Sequence, residues 1–346
     1  MLFRSLPWGR APIPRVSEDT NVAMMENSVK QREITTEPRR SDKIFRGIVS
    51  TIALSAFAIL AMIGTFLALR GFQTFHSQGW HFLTGYEWEV VTDDAGNTTA
   101  KFGIGAMLVG TVLISIVALF VGVPLSILTA LFLTFYAPAR FKKLLVAVVD
   151  LMAAFPSILY GLWGYFVLMP MAMYWAKLLH KYLGWIPFFD VKEPFFERSP
   201  FVAGLVLAIM IIPIVTSVAR EIFSQTPLDR IQAAYALGAT RWSMIKTVAL
   251  PFGSSGIVGG AMLGLGRAFG ETVAVFTVLN IVFKANFQIL FGMGGNIASM
   301  IVLKWGEASP IETKALLASG FVLFLLTLAV NALADFIVKR TLKSGK

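Results

Sequence analysis

The stretch GLGRAFGET at 264–272 sets an arginine and a glutamate, Arg267 and Glu271, four positions apart within a long apolar segment. On a helix, residues three or four apart share a face. The pair would then continue a stripe begun by Gly256, Gly260 and Gly264. A guanidinium offers a planar fork of N–H donors suited to an oxyanion. Glu271 beside it would hold the fork in place or compete with an anion for it, and Thr272 adds a hydroxyl. The same two charges would also serve as a structural ion pair between helices. A charge at mid-bilayer depth costs roughly 3 kcal/mol on insertion scales, so either role requires the pair to face protein or water. The three glycines would let a neighbouring helix come close, as small-xxx-small patterns do.

The rest of the chain explains why such a pair would lie in a membrane. Of the 346 residues, 56% are hydrophobic and 14% charged, against about 25% charged in soluble domains. Mean hydropathy is +0.71. Six apolar segments, at 48–69, 104–135, 144–169, 201–219, 255–282 and 315–338, are long enough to cross a bilayer, which takes roughly 20 helical residues. The chain reads as all-α, a polytopic membrane protein with six transmembrane helices. The second segment is longer than one span needs, and Gly122 and Pro124 mark an expected bend. The third is read with Pro156 inside it.

There is no cysteine, which excludes disulfides and thiolate chemistry, and His76, His81 and His180 form no HxxxH or HExxH spacing. No metal site is expected. A membrane hydrolase would need paired carboxylates, a histidine cluster or GxSxG, and the sequence has none of these. The net charge of +10 points to a membrane-sided bias and not to nucleic acid. Twenty Lys and Arg fall in the N-terminal tail, the link at 140–143, the link at 220–246 and the C-terminal tail, against nine in the alternate segments. The positive-inside rule makes the richer side cytoplasmic, with both termini there. Residues 1–41, polar and proline-bearing, read as a disordered cytoplasmic tail and not as a signal peptide. Met24 and Met25 are alternative starts to Met1. The permease domain is read as 42–346.

The basic link at 220–251 has the punctuation of two short helices. Thr226 is an expected N-cap with Pro227 at the first helical position, Gly238 an expected left-handed stop, and Thr240 a second cap for a helix ending before Pro251. Ala233 and Ala234 give the first helix a small face suited to a groove on a partner. An ordinary surface hairpin would look the same. Among weaker candidates, Tyr160 and Thr216 could hydrogen-bond an oxyanion. Asp150, read as lying inside the third span, and Arg220 suit ion-paired or snorkelling roles at least as well as transport.

Two motifs carry a family resemblance. Gln232, Ala233, Ala234, three residues, Gly238, nine residues, then Val248, Ala249, Leu250 and Pro251 resemble the EAA loop of ABC-transporter permeases. Glutamine stands where the family has glutamate, and valine where it has isoleucine. GLGRAFGETVAV resembles the signature of phosphate-specific ABC permeases. AAFPSILYGLWGYFVLMP at 153–170, FLTGYEWEV in the first external loop and the insert at 171–200 are similar to the PstC kind within that family. The similarity extends from about residue 43 to the end.

The resemblance implies a MetI-like type I ABC importer permease fold in a bacterial cytoplasmic membrane, and a role as permease subunit of a phosphate importer. It implies Arg267 and Glu271 in the phosphate path. It also implies a coupling loop that docks on the ATPase. The chain has no GxxxxGK[ST] phosphate loop, so ATP and magnesium belong to a separate subunit and no cofactor is expected here. The implied partners are a PstA-like permease, a PstB-like ATPase dimer, a PstS-like phosphate-binding protein and membrane lipid. A permease for sulfate or molybdate is the alternative, and a stand-alone secondary transporter or channel a further one.

Overall fold

Apolar side chains gain nothing by hiding from lipid, so membrane helices satisfy their own backbone bonds and associate through close packing. The computed structural model describes residues 40–92, 98–193, 195–284 and 286–344. The tail expected at 1–41 lies outside the described residues except for Arg40 and Ser41, which open the first helix. Among the described residues, six helices are long and apolar enough to cross a membrane. The chain divides into a unit ending at Ile59, whose described part is the first turns of that helix, and a unit from Leu60 onward.

Helix α1 spans Arg40–Gln78, followed by the short α2, His81–Thr84. A hairpin comes next, β1 at Trp88–Thr92 against β2 at Thr98–Phe102. Its register sets Trp88 opposite Phe102, with rings 4.8 Å apart. The hairpin is an addition to the all-helical expectation. The second span is α3, Gly105–Leu131, extended by a wide π-type turn at Phe132–Tyr136. It continues through Pro124, as one long helix, and changes pitch at the wide turn.

The third span differs from expectation. Ala139–Ala154 is a separate helix, α4, and the span proper is Ser157–Leu183: α5 (Ser157–Trp163), a π-type turn (Gly164–Leu168) and α6 (Met169–Leu183). The cause is Pro156, which drives the residue before it out of the helical region. Phe155 has ψ 137° and ends α4. Asp150 therefore lies outside the span, on α4, where it pairs with Arg220 at 4.0 Å.

The fourth span, α7 (Pro200–Ser224), is capped by the Ser199 hydroxyl. The loop helix α8 (Leu228–Ala236) follows, then α9 (Arg241–Met244), a π-type turn (Ile245–Ala249) and α10 (Leu250–Gly270). These last three form one continuous run, Arg241–Gly270, which is the fifth span. The helix expected to stop before Pro251 does not stop. The wide turn just before the proline shifts the ladder where its ring would otherwise strike a carbonyl. Short helices α11 (Val273–Val278) and α12 (Ile297–Trp305) precede the sixth span, α13 (Pro310–Ser344).

The α3 helix threads three apolar clusters in turn. Met107 packs with the hairpin residues Trp88 and Phe102 and with the starts of α12 and α13. Ile114 and Ala118 join the central cluster with α5, α7 and α11. Ala130 and Leu131 meet the end of α7 and the start of the fifth span. The glycine stripe acts as expected. A Cβ on Gly256 would fall 1.7 Å from Ile222, one on Gly260 3.4 Å from Val218, and one on Gly264 2.9 Å from Val215. The three therefore seat α10 antiparallel on α7. Gly259 and Gly266, on another face of α10, have nothing within 4 Å.

A tighter approach lies elsewhere. A Cβ on Gly110 of α3 would come 1.9 Å from the backbone oxygen of Gly295, just before α12. Backbone cannot swing aside as a side-chain tip can. Gly110→Ala should cost roughly 3 kcal/mol through overpacking, whereas Gly259→Ala should be neutral or slightly stabilising on helix propensity. Thermal unfolding of both variants in detergent checks this, and equal midpoints would contradict the contact.

Candidate functional site

The fifth span breaks where the charges begin. Helix α10 ends at Gly270, and Glu271 takes an extended conformation at φ −72°, ψ 126°. Arg267 and Glu271 therefore do not share a helical face, contrary to the spacing argument, and they form no hydrogen bond or ion pair with each other among the described residues. The Glu271 carboxylate instead accepts the Ala274 N–H at 3.2 Å, which caps the start of α11. Its side chain is spent on restarting the helix.

The break is held from across the fold. The Glu271 carbonyl accepts from the Asn296 side-chain amide at 2.7 Å. The Asn296 Oδ1 in turn accepts the Ser299 N–H at 2.9 Å and caps α12. The Ile297 N–H reaches Thr111 Oγ1 at 3.1 Å, and Thr111 donates to the Met107 carbonyl at 2.7 Å. Glu271, Asn296, Ser299 and Thr111 are all buried. Asn296, Ser299 and Thr111 escaped the sequence reading. The available signal was Asn296 as an N-cap after two glycines and before an apolar run.

Arg267 is half-buried, and its Nε is buried with no hydrogen-bond partner among the described residues. Tyr160 is buried and donates its hydroxyl to the Met152 carbonyl at 2.6 Å. Thr272 sits in the break with its hydroxyl on the Gly270 carbonyl at 3.2 Å. Thr216 lies between spans, donating to the Ser126 carbonyl at 3.3 Å. Arg220 lies near the far end of α7, paired with Asp150, so the structure does not bring it to Arg267. What the geometry offers is one guanidinium without a carboxylate partner among the described residues, beside a helix break, in a span packed on α7 through glycines.

The loop at the other end of the fifth span forms a second feature. Gly238 has φ 82°, the left-handed conformation expected of it. Thr240 caps α9 by accepting from Ser243 N–H at 3.2 Å. Thr226 does not cap α8. Its hydroxyl turns back to the Phe223 carbonyl at 2.8 Å, and Pro227, with ψ 128°, sits one position outside the helix. Gln232 and Ala233 are exposed, while Ala234 packs against the cluster at the end of α7. Between Ala233, Ala234 and Leu237 on one side and Val248, Pro251 and Phe252 on the other lies a groove of about 580 Å³. Leu250 opens α10 beside it.

Residues 122–343 match the family described as binding-protein-dependent transport system inner membrane component. The chain belongs to that family. Among curated relatives, a phosphate transport system permease protein PstC of Mycobacterium leprae (strain TN) is 43% identical over 299 residues, covering 86% of this chain and 92% of the relative. A PstC 2 protein of Mycobacterium tuberculosis (strain ATCC 25618 / H37Rv) is 40% identical, covering 89% and 93%. One of Pasteurella multocida (strain Pm70) is 36% identical, covering 86% and 91%. Among solved structures, a bacterial alginate ABC transporter in complex with an alginate pentasaccharide-bound periplasmic protein matches with TM-score 0.53 at 16% identity, over 88% of this chain and 98% of that one. A bacterial ABC transporter involved in alginate import matches with TM-score 0.52 at 17% identity, over 86% and 99%. The fold is thus the MetI-like one of ABC importer permeases, in a multi-pass inner-membrane component.

Asn296 is the residue on which the break depends. Asn296→Ala removes an N-cap worth about 1 kcal/mol and leaves a buried carbonyl unpaired at about 1–3 kcal/mol. The sum, about 2–4 kcal/mol, should appear as a lowered thermal midpoint of the purified protein. An unchanged midpoint would mean that the Glu271 carbonyl has another partner.

Proposed function

We propose that this chain is the permease subunit of an ATP-driven phosphate importer and forms half of the translocation path with a second, PstA-like permease. The observation that carries the reading is Arg267. An unpartnered guanidinium donor buried in a membrane protein is costly, and an oxyanion supplies both the charge and the acceptors it lacks. Glu271, occupied by the restart of the helix, leaves that fork open. The names of the relatives support phosphate as the anion. Glu271 and Thr272 shape the break beside the path, and Tyr160 lines its wall. Transport is the chain's part, and ATP with magnesium is held by a partner ATPase.

The loop at 220–251 serves as the coupling element. The ATPase pair, PstB-like, docks where Gln232, Ala233 and the 90% exposed Leu237 stand out. Because Arg241–Gly270 is one helical run, about 45 Å long at 1.5 Å per residue, a push on α9 is carried along a stiff rod to Arg267. Access then switches through the differential affinity of the ATPases for the two states. The basic loops make that side cytoplasmic, with both termini there. A PstS-like binding protein delivers the anion from the opposite side.

Phosphate uptake in cells lacking the endogenous copy tests the reading. With assembly and membrane insertion verified, Arg267→Gln should lose at least about tenfold in uptake, as removing a charge-assisted contact worth about 1.5–3 kcal/mol demands. Retained uptake would make Arg267 structural. A system that carries sulfate instead would point to another oxyanion. Leu237→Glu should separately reduce co-purification of the ATPase while leaving the permease folded.

A further inference from the structure

Another arginine without an ion pair among the described residues, Arg198, lies just before the end of α7 away from the coupling loop. Arg198, with φ 49°, stands as the sole non-glycine residue at positive φ among those described. Backbone strain of this kind persists only where the surroundings impose it, and it concentrates at functional positions. Two neutral groups hold the side chain. Nη1 donates to Asn280 Oδ1 and Nη2 to the Tyr165 hydroxyl at 3.1 Å, and the guanidinium lies 5.1 Å over the Tyr165 ring. It makes no ion pair among the described residues. The side chain is half-buried, so its charge is partly withdrawn from solvent and uncompensated. The next residues start a 25-residue helix, whose N-terminal end adds to the positive field.

Its partners connect it to the site already described. Asn280 follows α11, and α11 begins at Val273, directly after Glu271 and Thr272. This six-residue helix, about 9 Å long, runs from the break at Arg267 to the Arg198 cluster. It packs on α5, where a Cβ on Gly161 would fall 2.9 Å from Ala274. Tyr165 lies in the π-type turn directly after α5. The two guanidinium groups, neither in an ion pair among the described residues, thus sit at opposite ends of one wall made of α11 and the third span.

We propose that Arg198 is an outer oxyanion-holding residue: it takes the anion at the mouth of the path and passes it inward along α11 to Arg267. Asn280 and Tyr165 aim the guanidinium without neutralising it. The inference rests on the anion-path reading above. The competing role is a staple that ties three segments together.

Asn280→Asp separates the two. It preserves shape and the bond to Nη1 while adding a carboxylate that occupies the charge. A staple would be unaffected or strengthened, whereas an anion site would be blocked. The full complex, with its partner permease, ATPase and binding protein, is reconstituted in vesicles and assayed for uptake of labelled inorganic phosphate. Asn280→Asp and Arg198→Gln should each lower uptake about tenfold or more, the scale of one charge-assisted contact, at an unchanged thermal midpoint for Asn280→Asp. Arg198→Lys should retain most of the uptake. Wild-type uptake by Asn280→Asp, or equal loss in Arg198→Lys and Arg198→Gln, overturns the proposal in favour of the staple. Should Arg198→Gln fail to assemble, Asn280→Asp decides alone. Arg267→Gln runs alongside. If it loses uptake while Asn280→Asp keeps it, the outer site alone falls, and if both keep it, the anion path falls as well.

Discussion

Breaking a helix inside a bilayer strands backbone groups that no water can reach, and each must find a partner within the protein. The break between Gly270 and Val273 meets this demand with two side chains. The Asn296 amide takes the Glu271 carbonyl, and the Glu271 carboxylate takes the Ala274 N–H. Much of the surrounding architecture follows from that arrangement. Asn296 can reach the break only because the backbone before α12 lies against α3, where Gly110 admits Gly295 and Thr111 receives the Ile297 N–H. The Glu271 carboxylate is thereby engaged at the start of α11 and makes no ion pair with Arg267 among the described residues.

The position of Arg267 is set from the other side by glycines. Gly256, Gly260 and Gly264 let α10 lie on Ile222, Val218 and Val215 of α7, and at Gly256 and Gly264 an added Cβ would fall under 3 Å from its neighbour. Packing of this kind replaces the hydrophobic drive that lipid cannot supply between helices. It also fixes the rotation of α10 about its axis. The opposite glycines, Gly259 and Gly266, remain open, so the span is seated along one face and unencumbered along another.

The loop at 220–251 and the helix break are joined by one continuous element. One helical run begins at the Thr240 cap and ends at the break. The wide turn at Ile245–Ala249 accommodates Pro251 without a joint. At the loop end, Arg241 bonds the Phe135 carbonyl at 3.3 Å and lies 5.3 Å over the Tyr136 ring, so the start of the rod is tied to the end of α3. The start of this run is thereby fixed to the end of α3 at one side and continues to the break at the other.

Composition and periodicity were enough to read six spans, because a bilayer imposes a length and polarity that any spanning helix must satisfy. Local rules sufficed for Gly238, whose φ of 82° only glycine adopts freely, for the Thr240 cap, and for the glycine stripe, which follows from helical spacing alone. Prolines were read unevenly. Pro124 stayed inside its helix as read, whereas Pro156 ended a helix and Pro251 was carried by a wide turn. Which outcome occurs depends on whether neighbouring turns re-satisfy the freed backbone. The Arg267 and Glu271 pair marked the candidate site by residue type, since charges in a membrane are costly. Its geometry depended on Asn296, 25 residues further along the chain. The same holds for Arg198, whose partners Tyr165 and Asn280 lie 33 and 82 positions away. No local pattern encodes such meetings. They arise when helices pack and every buried polar group must find whichever partner the fold has brought within reach.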